Sequence, residues 1–225
     1  MIERAAILGL FLIAVPVLHA GEVLDGVAVT VNGHVILQSD WQDEVRYECF
    51  VAGRALQTVT PQERQAALNR LIDQELLREQ MGSTEYKPAS AEEIDKQAEA
   101  VKNDYARDHG AQPWSAALAL YRLTEADLKN HIALELSQLR LVDAHLRPAI
   151  QVEAVEVEAY YKDHLASSAG GSQQISLQQA TPKIRELLTQ QKMDELLSSW
   201  LEGLHSQAQI RIFISDSADT QGPAQ

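Results

Sequence analysis

Cysteine occurs once in the 225 residues, at Cys49, so no disulfide can form within the chain. A lone thiol could still join two chains; the simpler reading is a small apolar residue in a core. Methionine occurs only three times, which excludes a Met-rich, adaptable contact surface. Positive charge is also in short supply. Nineteen Lys and Arg face 32 Asp and Glu, a formal charge of −13, and that balance argues against nucleic acid or anionic lipid as a partner.

Long apolar runs are missing too, except at the start. Ala5–Leu18 (AAILGLFLIAVPVL) is uncharged and apolar, Pro16 interrupts it, and Ala20 is a small residue before Gly21. The pattern predicts a cleavable secretion signal over Met1–Ala20, with the working chain beyond the inner membrane. Its length is short for a bilayer span; a retained anchor is the alternative.

Catalytic and cofactor motifs are absent as well. The seven His show no HExxH or HxxxH spacing. His131 and His145 are far apart on one predicted helix, and Asp143/His145 and Asp163/His164 read as surface charges. Gly170-Gly171 follows no strand and lacks phosphate-loop spacing, and there is no GxSxG elbow. The expectation is a protein with no metal, no nucleotide or other cofactor, and no enzymatic activity.

What is present is a strand hairpin followed by helices. Val27–Leu37 (VAVTVNGHVIL) alternates and holds Asn32-Gly33, the residues of a tight type I′ turn. Ser39 and Gln42 suggest a capping box for a helix to about Arg54. Thr60-Pro61-Gln62-Glu63 starts a second, with Leu68, Leu71, Ile72 and Leu76 on one stripe, ending near Gly82. Ser90 and Glu93 open a third, mostly polar helix that ends at His109-Gly110. A short helix falls within Pro113–Leu123.

Thr124 and Asp127 cap the next helix, which lasts to Arg147-Pro148. Its main stripe is Leu128, Ile132, Leu136, Leu139 and Val142, widened by Leu134 and Leu141, so it should have neighbours on more than one side. Glu153–Leu165 is a shorter helix. Ala166–Gln174 (ASSAGGSQQ) reads as a flexible linker. Thr181-Pro182 suggests the start of a long final helix, and Gln209–Ile214 (QIRIFI) alternates as one last strand. Residues 215–225 read as a disordered polar tail.

A terminal strand and a bare hairpin are each marginal alone. The economical fold is mainly α with a small antiparallel sheet in which the N-terminal hairpin pairs with the C-terminal strand. Residues 21–165 and 175–214 would then make one core across the 166–174 linker.

The stretch VAVTVNGHVILQSDW (Val27–Trp41) resembles the opening of SurA-type periplasmic chaperones. NRLIDQELLREQ (Asn69–Gln80) is similar to that family's next helix, and KIRELLTQQKMDELLSSWLEGLHSQAQIRI (Lys183–Ile212) to its closing helix and strand. In that family one or more parvulin prolyl-isomerase domains stand before the closing helix. Such a domain needs on the order of 100 residues, and Ala166–Gln174 has no room for it. The resemblance therefore implies the chaperone module without isomerase activity.

It further implies an ATP-independent periplasmic holdase for unfolded outer-membrane or secreted polypeptides, held on an apolar surface. The candidate client-binding residues are Trp114, Leu118, Tyr121, Leu123, Tyr160 and Tyr161, because aromatics offer contact area and a polar handle. Each could instead be ordinary core, as Trp200 should be. The alternatives are a structural subunit for one envelope partner, including a homodimer formed by segment exchange about the linker, and a divergent prolyl isomerase.

Overall fold

The computed structural model describes residues 25–82, 86–110, 113–166 and 176–214. The expected signal (Met1–Ala20), the linker from residue 167 onward and the tail (215–225) lie outside the described residues.

Strands β1 (Val27–Val31) and β2 (His34–Leu37) are joined by Asn32 and Gly33, at φ 50° and 89°. Both central residues of a type I′ turn need positive φ, which Asn and Gly tolerate. Helices α1 (Gln38–Val51), α2 (Pro61–Gln80), α3 (Ala91–His109), α4 (Trp114–Ala119), α5 (Glu125–Leu146), α6 (Ala154–Tyr161) and α7 (Leu177–Gln207) follow, then strand β3 (Ile210–Ile212). The sheet order is β2-β1-β3, antiparallel throughout, so the C-terminal strand closes the N-terminal hairpin as expected.

Asn32 locks that closure. Its backbone N–H donates to Gln209 O at 3.0 Å, its Oδ1 accepts from Gln209 N at 2.8 Å, and its Nδ2 donates to Glu79 Oε2 at 2.7 Å. Asn32→Gly keeps the turn and loses only the side-chain bonds, whereas Asn32→Ala also strains the positive φ. Urea unfolding should therefore show a loss of about 1 kcal/mol for the first and about 2 kcal/mol for the second.

Most helix ends match their sequence signals. Thr60 and Glu63, Ser90 and Glu93, and Thr124 and Asp127 form reciprocal caps at α2, α3 and α5. Two starts differ. Helix α1 begins one residue before Ser39: Asp40 Oδ2 accepts from Leu37 N at 2.9 Å, and Ser39 turns back to the Asp25 carboxylate. Helix α7 begins at Leu177, upstream of Thr181-Pro182. Ser176 and Gln179 form the cap, and Pro182 sits inside the helix, where the Thr181 hydroxyl donates to Leu177 O at 2.7 Å. The proline removes a single helical N–H, and the earlier capping box outweighs it.

The buried residues form four clusters. Val29, Val31 and Ile36 meet Leu68, Ile72 and Leu76 of α2. Phe50 and Cys49 of α1 meet Leu118, Leu128 and Ile132. Leu77, Leu141, Val142 and Leu146 meet Met193 of α7, and Val157 of α6 meets Ala180 and Ile184. Helix α5 touches α2, α3 and α7, so its buried stripe rotates along its length. Leu141 is fully buried, while Leu139, expected on the main stripe, is 65 % exposed.

Candidate functional site

Two connections aim the first turns of α1 at one place. Gln38 N donates to Gly26 O at 2.7 Å, directly after β2 ends, and Asp40 caps Leu37. Asp40, Asp43 and Glu44 thereby face a cleft whose rim is His34, Val35 and Ile36 of β2. Helix α2 forms its floor. Leu68, Ile72 and Leu76 bury against the sheet, and the adjoining face, Leu71, Gln74, Glu75 and Arg78, lines the cleft. The first half of α5 supplies the far wall with Asp127, Asn130, His131 and Leu134. The volume is about 360 Å³.

Two carboxylates here are almost fully buried. Glu75, 6 % exposed, is held by Arg78 through Nε at 2.7 Å and Nη2 at 2.6 Å, with His34 Nε2 at 3.7 Å. Glu44, 4 % exposed, is given no such paired cation among the described residues. Burial, reinforced by Glu48 and Glu135 and opposed by Arg70 and a Gln74 hydrogen bond, pushes its carboxyl up to about 7. His131 Nδ1 lies 3.7 Å from Glu44 Oε2. Burial pushes the imidazole pKa down despite Asp43 and Asp127 nearby, so the ring is neutral at pH 7 and the contact is not an ion pair there. The ring stacks on Tyr47 at 4.0 Å. Burial and Glu135 in turn push the Tyr47 phenol up.

A perturbed, buried acid in a cleft, as Glu44 is, is a marker of function. The lining offers apolar plates from Val35, Ile36, Leu71 and Leu134 beside an excess of carboxylates. It contains no Ser, Thr, Cys or Lys to act as a nucleophile. Among the described residues no group of three or more His, Cys, Asp or Glu is arranged to hold a metal. The lining offers apolar contact and attraction for a positive group.

The six aromatic and leucine candidates do not form one surface. Leu118, Tyr121 and Leu123 are 2 %, 8 % and 5 % exposed and belong to the core around Phe50. None of the three lines an open groove in this structure. The turn after α4 explains it: Tyr121 N and Leu123 N both donate to Leu118 O, Arg122 takes φ 55°, and residues 121 and 123 tuck inward. Trp114 is half-buried, edge-on to Phe50 at 5.9 Å. Tyr160 and Tyr161 are half-buried on α6 in the separate cluster with Val157 and Ile184. Cys49 is 1 % exposed and burial raises its thiol pKa, so pairing with a second chain would require opening the core.

The cleft was not anticipated from sequence, although a signal for it exists. Glu75 follows Leu68 by two helical turns and falls on the same stripe as Ile72 and Leu76, where a charge is out of place. Glu44 lies between Trp41, Val45 and Tyr47 in the same way. No protein-family model and no curated protein matches the chain. No helix among the described residues is long and apolar enough to cross a membrane.

Proposed function

We propose that this chain is an ATP-independent holdase of the periplasm, a SurA-type chaperone module without its isomerase, that binds unfolded outer-membrane or secreted polypeptides. The observation that carries the reading is the closure of the Val27–Leu37 hairpin by Ile210–Ile212 around a helical body. This is the arrangement implied by the resemblance of both ends of the chain to that family. The secretion signal expected from the sequence of Met1–Ala20 supports the compartment. The mixed cleft beside β2 supports a contact surface for peptide in place of the buried aromatics.

Purified protein should delay the aggregation of a chemically denatured outer-membrane protein at near-stoichiometric ratios without nucleotide, as read by light scattering. Unchanged aggregation at a several-fold molar excess would overturn the reading. A second reading, a subunit dedicated to one envelope partner, draws on α6, which packs chiefly on α7 and on the helical turn Lys162–Ala166 and leaves Val155 70 % exposed. A single stoichiometric partner in periplasmic pull-downs, with no effect on denatured clients, is its expected signature.

A further inference from the structure

We propose that the cleft bounded by β2, α1, α2 and α5 takes a lysine or arginine side chain of an extended polypeptide laid as an added strand along the open edge of β2. The inference rests on the holding function above and names the kind of segment held.

Three observations carry it. First, β2 is an edge of the described sheet. In a hairpin closed by a two-residue turn, Val31 and His34 form the hydrogen-bonded pair, so Val35, opposite Thr30, directs its N–H and C=O away from β1. Val35 is 44 % exposed. An incoming strand can bond there, as in other cases of strand addition. Second, the cleft begins at this same edge, because His34, Val35 and Ile36 are its rim. A side chain from the added strand reaches it without crossing open water.

Third, the charge inside is one-sided. Asp40, Asp43, Glu44, Glu75 and Asp127 line the cleft against the single guanidinium of Arg78, which Glu75 already occupies. Asp43 is bonded outward to Arg46 at 2.5 Å. Glu44, the most buried of the five, takes a hydrogen bond from Gln74 and feels Arg70 at a distance, and beside it stands only an imidazole that is neutral at pH 7. A cation placed among such groups gains more than it would in water, because the site is partly desolvated. Leu71 and Leu134 suit the aliphatic stem of Lys or Arg.

The pH response follows from the same groups. Glu44 is faced by Glu48 on its own helix, by Arg70 and Gln74 from α2, and by Glu135 and His131 from α5. Its proton is held to about pH 7, and a bound cation favours its loss. Affinity should therefore rise as the pH goes from 6 to 8.

The test uses labelled twelve-residue peptides of alternating Ser and Val with a central Arg, compared with the same peptide bearing citrulline, an uncharged isostere. Fluorescence anisotropy should give the Arg peptide at least tenfold tighter binding at pH 8, narrowing several-fold at pH 6. N-methylation of alternate amides should abolish binding by blocking the strand bonds. Glu44→Gln should reduce the Arg preference at pH 8 while leaving the fold more stable, so the loss cannot be blamed on unfolding. Equal affinity for Arg and citrulline peptides would overturn the cation site, and full binding of the N-methylated peptide would overturn strand addition. In either case suppressed aggregation of denatured clients leaves the holding function standing; if aggregation is also unaffected, both fall.

Discussion

Glu44→Gln is expected to stabilise the protein at pH 8 and to do so far less at pH 5. A carboxyl whose folded pKa is about 7 against an unfolded value near 4.5 binds a proton in the native state that the unfolded chain has already lost. Between those two values stability falls as pH rises, and above about 7 the full cost persists. A shift of this size corresponds to roughly 3 kcal/mol, which glutamine avoids while keeping nearly the same shape. His131 acts in the opposite sense: its depressed pKa makes stability rise with pH up to its unfolded value. That contribution is common to both proteins and cancels in the comparison. Glu63 and Glu93, whose carboxyls sit at about 2 through their cap bonds and Arg partners, matter only at lower pH, where stability is lost as pH falls from about 4.5. Urea unfolding of both proteins at pH 5 and pH 8 checks the prediction. An equal difference at both values would show that Glu44 does not titrate as its burial requires.

Ending the chain at Ala208 should cost on the order of 4 kcal/mol relative to a chain ending at Ile214. Strand β1 would lose the pairing of Val29, Thr30 and Val31 with Ile212, Arg211 and Ile210. Asn32 would lose both bonds to Gln209, and Phe213 N would no longer reach Ala28 O. Ile210 and Ile214 would leave the cluster that joins the sheet to α2, and the bared edge of β1 would invite pairing between chains. The midpoint of urea unfolding and the mass in solution should both change. Equal midpoints for the two chain lengths would mean that the sheet does not depend on its C-terminal strand.

The order of elements was legible because its signals are local. Asn32-Gly33 demands a turn, Thr60-Pro61 and Thr124 demand helix starts, and the alternation in Gln209–Ile214 demands a strand. Joining the last strand to the hairpin needed only the rule that edges seek partners. Where two local signals competed, the choice depended on context: Thr181-Pro182 looks like a helix start, but Ser176-Gln179 begins the helix first.

The site was less legible, since exposure is a property of the assembled chain. Tyr121 and Leu123 lie off the main helical stripes, yet a positive φ at Arg122 turns them into the core. Leu139 lies on the expected stripe, yet α5 changes neighbours midway and leaves it outside. Glu44 and Glu75 occupy positions that periodicity assigns to apolar residues, and only their convergence from α1 and α2 shows them to be one cleft.

That the cleft, and no other exposed apolar position, is where a client is held can be tested most directly by photocrosslinking. A photoreactive residue placed in turn at Val35, Leu134, Leu139 and Val155, with a denatured outer-membrane protein as client, should yield adducts from Val35 and Leu134 and little from Leu139 and Val155. Equal yields at all four positions, or adducts confined to Leu139 and Val155, would contradict the cleft as the holding surface.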